Sequence, residues 1–600
     1  MAGNSVPLQN TKQRAIALLQ GNRLADACGL FEQICRIDGN DVESWIFLVK
    51  INAQLGRPDQ VERCCREIIR IQPRSHDAHY HLGCALLFQG RRAEATPAFR
   101  RAAELKPDHA PTQMQLGHLS PTPEQALRHY QQAAGTAPSF AEAHAAAGAA
   151  LVSCGQVEEG VSRFRQALRL NPTLHRTHSD LLFALNYRSA YDASAIFSEH
   201  ARWGELHGLP SLPSHANTPD PGRRLRIGYV SPDLREHSVA YFFEPLLGAH
   251  STSEFETFCY AEVAQPDATT RRIQSLSQHW MFTCDLSDAA LAERIRADRI
   301  DILVDLAGHS ANNRLLTFFA KPAPVQITWL GYPNTTGLKA MDYRFTDAWS
   351  DPPGDCDRCH TEQLIRLPNG FLCYLPPSIA PEVSPPPAQI NGHITFGSYN
   401  NLPKTGPEVV ALWARLLHAV PGARLTLKNY SLGDPATRER TLRLYGAHGI
   451  SAERLVLRGR HDSVAEHLGS YSEIDIALDT FPYNGTTTTC EALWMGVPVV
   501  ALAGDRHAAR VGVSLLNNLG LPGLIADSAD AYVRIAARLA SEPAELAQLR
   551  TSLRSRMSGS PLCDARSFAR DMESGYRALW KNWCEARQAS QNGDAAPAVC

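Results

Sequence analysis

Two periodicities divide the chain. Over roughly Gln13 to His207, apolar and small residues recur at helical spacing, with cysteines such as Cys64, Cys84 and Cys154 taking apolar positions as small hydrophobes. From Leu225 onward the pattern changes to short β-rich runs, among them Leu225-Arg226-Ile227-Gly228-Tyr229-Val230-Ser231, Phe255 to Val263, Ile302 to Leu306 and Val325 to Leu330. Helical stretches such as Ala289 to Arg299 separate them, and after a proline-rich stretch from Tyr374 to Pro387 the alternation resumes with Ile394 to Gly397, Arg424 to Leu427, Arg454 to Leu457 and Ile474 to Leu478. Strand-helix alternation predicts an α/β fold with a largely parallel sheet, here in two lobes joined by a short tether.

The helical part repeats. Pro73, Pro107, Pro138 and Pro172 each close a helical stretch. The steps Pro73 to Pro107 and Pro138 to Pro172 are 34 residues, and Pro107 to Pro138 is 31. Gly56 with Gly90, and Gly83 with Gly117, keep the 34-residue offset. A 34-residue unit with a glycine in its first helix and a terminal proline is the tetratricopeptide pattern, two antiparallel helices per unit. About five units fit, and the three-residue deficit falls near Gly117 to Pro123, which predicts a shortened helix turn. Stacked units form a superhelix with a concave face suited to extended polypeptide, or serve as a scaffold or dimerisation module. His207 to Pro221, with Leu209-Pro210, Leu212-Pro213 and Pro219-Asp220-Pro221-Gly222, breaks the helical period and reads as a linker.

Six hundred residues exceed what one core supports, consistent with several domains. Lys plus Arg is 59 against 61 for Asp plus Glu, so the net charge of −2 offers no overall attraction to nucleic acid or an anionic membrane. No apolar run of about 18 residues appears, and Met1-Ala2-Gly3-Asn4-Ser5 lacks the regions of a signal peptide. A cytoplasmic chain with reduced thiols is the expectation. Cys356-x-x-Cys359-His360 formally matches a c-type haem attachment motif, but no export route and no second cysteine pair accompany it, so neither haem nor metal is assigned.

Ligands of parallel α/β sheets sit beyond the carboxyl ends of the strands, which directs attention to the loops there. Ser231 to Ser238 holds His237, Ala307 to Asn313 holds His309, Gly331 to Gly337 holds Pro333, and Gly397 to Lys404 holds Asn401 and Lys404. Taken singly, each histidine is more often a helix cap or a satisfied structural group and Lys404 a solvated lysine, but their shared place at strand ends makes His237 and His309 site candidates, His309 for the donor. The richest stretch is Asp479-Thr480-Phe481-Pro482-Tyr483-Asn484-Gly485-Thr486-Thr487-Thr488-Thr489-Cys490-Glu491, a strand end, a turn and a helix start. Gly485 followed by Thr486, Thr487 and Thr488 aims N–H and hydroxyl donors at the positive end of a helix, which suits nucleotide phosphates, and Glu491 stands about one turn on, within reach of a ribose. A threonine N-cap with nothing bound is the alternative.

These residues together resemble the O-linked N-acetylglucosamine transferases and their plant relatives called Spindly. The likeness rests on the Arg-x-Gly-Tyr-Val-Ser start at Arg226, the Gly331-Tyr332-Pro333 loop, the Lys404 loop, the turn from Asp479 to Gly485, and Ser560-Pro561-Leu562 before the last helix. The resemblance implies a multidomain chain: an all-α tetratricopeptide superhelix over residues 10–207, a linker over 208–222, and an α/β GT-B glycosyltransferase of two Rossmann-like lobes. The lobes are expected at 223–375 (acceptor side) and 393–560 (nucleotide-sugar side), with a proline-rich tether at 376–392, a terminal helix at 561–587 and a disordered tail at 588–600. The helix, with Tyr576, Leu579, Trp580 and Trp583 on related turns, reads as a strap from the second lobe back to the first.

By the same resemblance, His237 is the catalytic, active-site histidine, Lys404 contacts the diphosphate, and Asn401 replaces a glutamine three residues before it. His237 either accepts the hydroxyl proton or holds the acceptor backbone or donor sugar, with a donor phosphate oxygen as the other candidate base. His467 packs on the base, Thr487 and Thr488 bind phosphate, Glu491 stands for a ribose-binding aspartate, and Gly331 and Pro333 wall the donor sugar. Thr486 replaces a histidine of the animal enzymes, and the long insertion those carry between lobes is absent. The implied activity is metal-free, inverting transfer of a sugar to serine or threonine of proteins held along the repeat groove. UDP-N-acetylglucosamine is placed ahead as donor. Thr486 to Glu491, His237-Ser238-Val239 and the loops at Gly308 and Gly331 are closer to the Spindly branch, whose plant members use GDP-fucose. A scaffold that senses a nucleotide sugar without transferring it is the non-enzymatic alternative.

Overall fold

A computed structural model describes residues 5–208 and 215–592. The Leu209-Pro210 and Leu212-Pro213 part of the expected linker, and residues 593–600 of the expected tail, lie outside the described residues. The chain divides into two compact units, residues 1–151 and 152–600.

The first unit is a run of helices: Ser5–Gln20, Leu24–Ile37, Val42–Gln54, Pro58–Ile71, His76–Phe88, Arg92–Leu105, Ala110–Leu119, Pro123–Thr136 and most of Ala141–Ser153. Consecutive helices bury small and apolar residues against each other, as Ala95, Phe99, Leu82 and Cys65 do. Gly83 lies against the Phe99 ring sixteen positions on, whereas Gly117 meets Tyr130 only thirteen positions on. That missing turn is the 31-residue step seen in the proline spacing, and Ala110–Leu119 is accordingly 10 residues long where His76–Phe88 has 13. Twelve helices precede the first strand among the described residues, six pairs in chain order where five were expected. The first pair escaped the period because it closes on Asp38-Gly39-Asn40 without a proline.

The second unit begins inside Ala141–Ser153 and carries the helices Val157–Leu170, His175–Leu185 and Ala193–His207 before its sheets. The compact division thus falls at Leu151, not at residue 207, because these last helices share their core with the α/β part: Leu182 and Trp203 pack with Val230, Phe258, Leu303 and Met341. Backbone approaches backbone there. A Cβ on Gly337, whose φ is +73°, would stand 2.0 Å from the His200 carbonyl oxygen.

The first lobe is a seven-stranded sheet in the order β3-β2-β1-β4-β5-β6-β7, from β1 (Leu225–Ser231), β2 (Phe255–Ala261), β3 (His279–Phe282), β4 (Ile302–Asp305), β5 (Val325–Thr328), β6 (Tyr343–Thr346) and β7 (Gln363–Arg366). The second has six strands in the order β10-β9-β8-β11-β12-β13, from β8 (Thr395–Ser398), β9 (Arg424–Lys428), β10 (Leu455–Arg458), β11 (Ile476–Leu478), β12 (Val499–Leu502) and β13 (Ile525–Ala526). All neighbours are parallel. Both faces are covered, so the strands read as near-continuous apolar runs; all four residues of β4 and of β5 are buried. The order reverses between β1 and β4 and between β8 and β11, which leaves a crevice at each pair of strand ends.

The helix Ala565–Asn592 straps the second lobe to the first, running five residues past the expected end at 587. Tyr576 Oη lies 3.2 Å from Tyr229 Oη in β1, Glu573 accepts from His250 Nδ1 at 2.9 Å, and Trp580 Nε1 donates to the Asp220 carbonyl at 2.9 Å. No helix among the described residues is long and apolar enough to cross a membrane.

Gly337 and Gly392 share a left-handed backbone, φ +73° and +68°, but Gly392 has nothing within 4 Å of a built Cβ. Gly392→Ala should cost about 1 kcal/mol for the conformation alone, and Gly337→Ala at least about 2 kcal/mol more for the overlap with backbone that has no rotamer to escape into. Thermal midpoints of the two variants check this; equal shifts would mean the helix Ala193–His207 is not seated on that loop.

Candidate active site

Between the lobes lies an open cleft of ≈ 320 Å³. It is walled by His237, Ser238 and Phe242 after β1, Ser310 after β4, Gly331 and Pro333 after β5, Tyr399 to Asn401 and Lys404 after β8, Tyr483 and Thr486 to Thr488 after β11, and His507 and Val511 after β12. Phe183 and Tyr187, from the helix His175–Leu185 and the turn after it, close one side.

Two loops from adjacent strands, β8 and β11, build the charged end. The short helical turn Leu402–Lys404 turns Lys404 inward, where Nζ donates to the Asn484 carbonyl at 2.7 Å and sits 4.1 Å over the Tyr483 ring. Burial pushes its ammonium down to about 8, against the pull of the Asp479 carboxylate. Asp479 is pushed up to about 7 by its own burial, opposed by the Gly485 N–H and by Lys404. Its Oδ1 accepts from the N–H groups of Gly485 at 2.6 Å and Thr480 at 2.9 Å, which folds the turn. Gly485 fits only without a side chain, since a Cβ would lie 2.5 Å from Thr488 Oγ1.

The helix Thr487–Trp494 starts in the cleft. Thr486 at its N-cap makes no capping hydrogen bond through its side chain, so the bland N-cap reading does not describe this turn. Thr488 Oγ1 donates to Asn400 Oδ1 at 3.1 Å, linking the two loops. Unsatisfied first-turn N–H groups, two threonine hydroxyls and an ammonium face one space, an arrangement that attracts phosphate.

Beside Tyr399 stands a second group. Lys428 at the end of β9 donates to His467 Nδ1 and lies 4.7 Å over the Tyr399 ring, and His467 Nε2 donates to Glu491 Oε2 at 2.8 Å. Burial brings Lys428 down to about 8, against Glu491 and Glu473. Sequence reasoning named His467 and Glu491 but missed Lys428, whose signal was its place at a strand end.

On the facing wall, His237 is partly exposed. The Val239 N–H donates to its Nδ1 at 3.3 Å, and Asp233 Oδ1 lies 3.5 Å from the same nitrogen. Burial lowers its pKa, opposed by Asp233. Gly331 must be glycine because a Cβ there would lie 1.8 Å from the Leu306 carbonyl oxygen.

The structure therefore gathers His237, Gly331, Pro333, Asn401, Lys404, Thr486, Thr487 and Thr488 around one cleft, with Gly485 in the turn beneath and His467 and Glu491 behind Tyr399. His309 is the exception. Its ring is buried, with Nδ1 at 2.9 Å from Ser179 Oγ and Nε2 donating to the Thr336 carbonyl at 2.8 Å, so both nitrogens are committed to bracing the helices against the loop after β5. It does not line the cleft, and a donor-binding role does not fit it. Cys356 and Cys359 lie on the helical turn Asp355–Cys359, and His360 Nδ1 donates to the Cys356 carbonyl at 2.9 Å. Every described cysteine is a free thiol. Sequence reasoning also missed Phe183, Tyr187, Tyr483 and His507.

Comparison with known proteins agrees with this geometry. The sequence profile of Glycosyl transferase family 41 matches residues 166–374 and 389–572, and a tetratricopeptide repeat profile matches residues 76–109. The "Probable UDP-N-acetylglucosamine--peptide N-acetylglucosaminyltransferase SPINDLY" of Solanum lycopersicum is 44% identical over 424 residues, 70% of this chain and 45% of its own length. The similarly named SEC of Arabidopsis thaliana is 30% identical over 72% of this chain and 45% of its own. The chain spans about half the length of the curated relatives it matches. A lysine-to-methionine mutant of the O-GlcNAc transferase of Thermobaculum terrenum superposes with a TM-score of 0.73 at 38% identity, over 91% of this chain and 98% of that one. With the two parallel-sheet lobes and the helical repeats in place, the chain belongs to glycosyltransferase family 41.

Proposed function

We propose that the chain is an inverting protein O-glycosyltransferase: a serine or threonine hydroxyl of a protein attacks the anomeric carbon of a nucleoside-diphosphate sugar and the diphosphate leaves. The observation that carries this reading is the ammonium of Lys404 facing the N-terminus of Thr487–Trp494 across the crevice between β8 and β11. Negative charge grows on the diphosphate as the bond to the sugar breaks, so catalysis concentrates there. A helix terminus contributes about 0.3–1 kcal/mol, up to ~2 when partly buried. An ammonium at ~4 Å in an effective dielectric near 20 contributes on the order of 4 kcal/mol. Lys404 is thus the larger contributor, Thr486, Thr487, Thr488 and the Gly485 turn position the phosphates, and no metal ion is assigned a part. His237 on the facing wall touches the reacting groups, Gly331 and Pro333 flank the sugar, and Asn401 stands at the diphosphate. His467 and Glu491 take the base and ribose.

The printed names of the curated relatives support UDP-N-acetylglucosamine as donor. GDP-fucose stays as a second reading because identity is 44% to SPINDLY and 30% to SEC, and the Thr486 turn resembles the Spindly branch. The repeats suit protein acceptors: short hydroxyl-bearing segments offer few contacts at the chemistry, so a helical groove would add affinity from remote parts of the substrate. Incubation with each donor, with and without a chelator, and an acceptor lysate, followed by intact masses of the products, decides class and donor; no added sugar from either donor would leave the sensing scaffold.

Two outcomes follow from Lys404. Lys404→Ala should lose at least about a hundredfold in turnover with the fold intact, and near-normal turnover would remove it from the mechanism. Because burial lowers the pKa of Lys404 to about 8, the ammonium that would bind diphosphate is present below that pH and lost above it. Affinity for the matching nucleoside diphosphate should hold to about pH 7.5 and then fall, by at most about tenfold per unit, whereas a guanidinium stays charged. Calorimetry across pH 7–9.5 should show a steeper decline for wild type than for Lys404→Arg, and superimposable profiles would reject the assignment. Lys428, titrating in the same window, accounts for any slope left in the variant.

A further inference from the structure

Besides His237, a second histidine meets the cleft. His507 follows β12 in the second lobe, and its Nδ1 lies 2.7 Å from Asp351 Oδ2, on the loop after β6 in the first lobe. Both side chains are buried, His507 3% and Asp351 0% exposed, yet His507 is among the residues that line the cleft, with Phe371 and Val511. Next to a carboxylate, Nδ1 carries the hydrogen and donates it. Nε2 is then a lone pair, and it has no protein partner among the described residues. The orientation is well enforced. Thr346 Oγ1 stands 3.5 Å from the same Nδ1 and also donates to Asp351, the Phe371 ring crosses the imidazole edge-on at 4.9 Å, and Ser514 Oγ donates to Asp347 at 2.5 Å to close the lobes beside the pair.

His237 is arranged the opposite way. Its Nδ1 accepts the Val239 N–H, so its neutral ring holds the hydrogen on Nε2. One cleft histidine is preset to donate and the other to accept.

We propose that His507 is the general base of the transfer, oriented by Asp351, an inference that rests on the glycosyltransferase reading. The acceptor O–H bond breaks as the oxygen–anomeric carbon bond forms. The proton passes to His507 Nε2, the bond from the anomeric carbon to phosphate breaks, and its electron pair leaves with the diphosphate. The imidazolium that results is stabilised by Asp351, which the neighbouring His507, His360 and Arg344 hold well below the usual carboxylate range against its burial. The other charged groups near His507 are committed elsewhere: Arg506 to the carbonyls of Tyr191 and Arg188, Arg510 to those of Trp349 and Gly504. The donating hydrogen of His237 is left for an oxygen of the sugar or the diphosphate.

His507→Asn tests this, because the asparagine Nδ2 occupies the place of Nδ1 and still donates to Asp351, while nothing replaces the Nε2 lone pair. The variant should keep its thermal midpoint within a few degrees and its calorimetric affinity for UDP or GDP within about threefold. Its turnover should fall at least about fiftyfold, and the acidic limb of the pH–rate profile should vanish, while His237→Ala retains that limb. Transfer by His507→Asn within threefold of wild type, with the limb unchanged, would mean that His507 is only a strut between lobes. If the variant melts early, Asp351→Asn is read instead: it leaves side-chain volume intact but favours the wrong tautomer, and should cost at least about tenfold in turnover, unchanged turnover overturning the inference. Absence of transfer by wild type itself removes the enzymatic reading and this inference together, whereas transfer by wild type and variant alike removes the inference alone.

Discussion

A half-buried amine on the wall of the cleft is the constraint around which the second lobe is arranged. Lys404 is held by one carbonyl, one aromatic face and the pull of a carboxylate that is itself buried. Neither partner is fully comfortable: the lysine is pushed down, the acid up, toward each other's range. Such a pair is a poor source of stability, since burying two charges costs several kcal/mol per ion before their attraction returns any of it. Its persistence is intelligible as stored demand for an anion. On the proposed function a phosphate entering the cleft would add counter-charge beyond that of Asp479, and the turn that would receive it is held by the same carboxylate through the Gly485 and Thr480 N–H groups.

That arrangement needs its scaffold. A crevice forms only where strand order reverses, between β8 and β11 and between β1 and β4, and the two crevices face each other only if the lobes are held. Among the devices that hold them are the strap Ala565–Asn592, the His507–Asp351 contact, Ser514 on Asp347 and Arg510 on the Trp349 carbonyl. The helices Val157–Leu170, His175–Leu185 and Ala193–His207 belong to this assembly as much as to the repeats, for Asn186 donates to Tyr332 Oη and Arg344 holds the carbonyls of Tyr332 and Asn334 from the other side. The loop that carries Gly331 and Pro333 is therefore fixed from two directions, and Phe183 and Tyr187 enter the cleft as a consequence of that docking.

The legible part of the sequence was the part written locally. Periodicity showed the helices and strands, strand ends showed which loops to read, and Gly485 before three threonines showed the helix start, all within a dozen residues of one another. The three-residue deficit before Pro138 even located the short helix Ala110–Leu119. What failed were properties decided by partners far along the chain. His309 occupies a loop of the right kind, but Ser179, 130 residues away, takes one of its nitrogens and turns the ring inward. Lys428 lies one residue past the run Arg424 to Leu427 and gains its role only when Tyr399, His467 and Glu491 gather around it, and nothing near Asp351 in sequence announces His507, 156 residues on. Strand-end position predicts where a backbone goes; it does not predict which way a side chain faces.

The division of labour proposed for the cleft bears on why two donors can be weighed for it. On that reading Lys404 and the start of Thr487–Trp494 would meet charge growing on phosphates shared by every nucleoside-diphosphate sugar. His507 would take the proton of a hydroxyl common to all acceptors. Neither set reads a base or distinguishes one sugar from another. On the proposed function, His467 with Lys428 beside it would take the base, Glu491 the ribose, and Gly331 and Pro333 would flank the sugar. The sugar wall follows β5, apart from the Lys404 and Asp479 loops, whereas Glu491 shares the helix Thr487–Trp494 with Thr487 and Thr488, so a substitution at Pro333 should leave the charge balance of Lys404 and Asp479 in place while one at Glu491 acts on the helix that would face the phosphates.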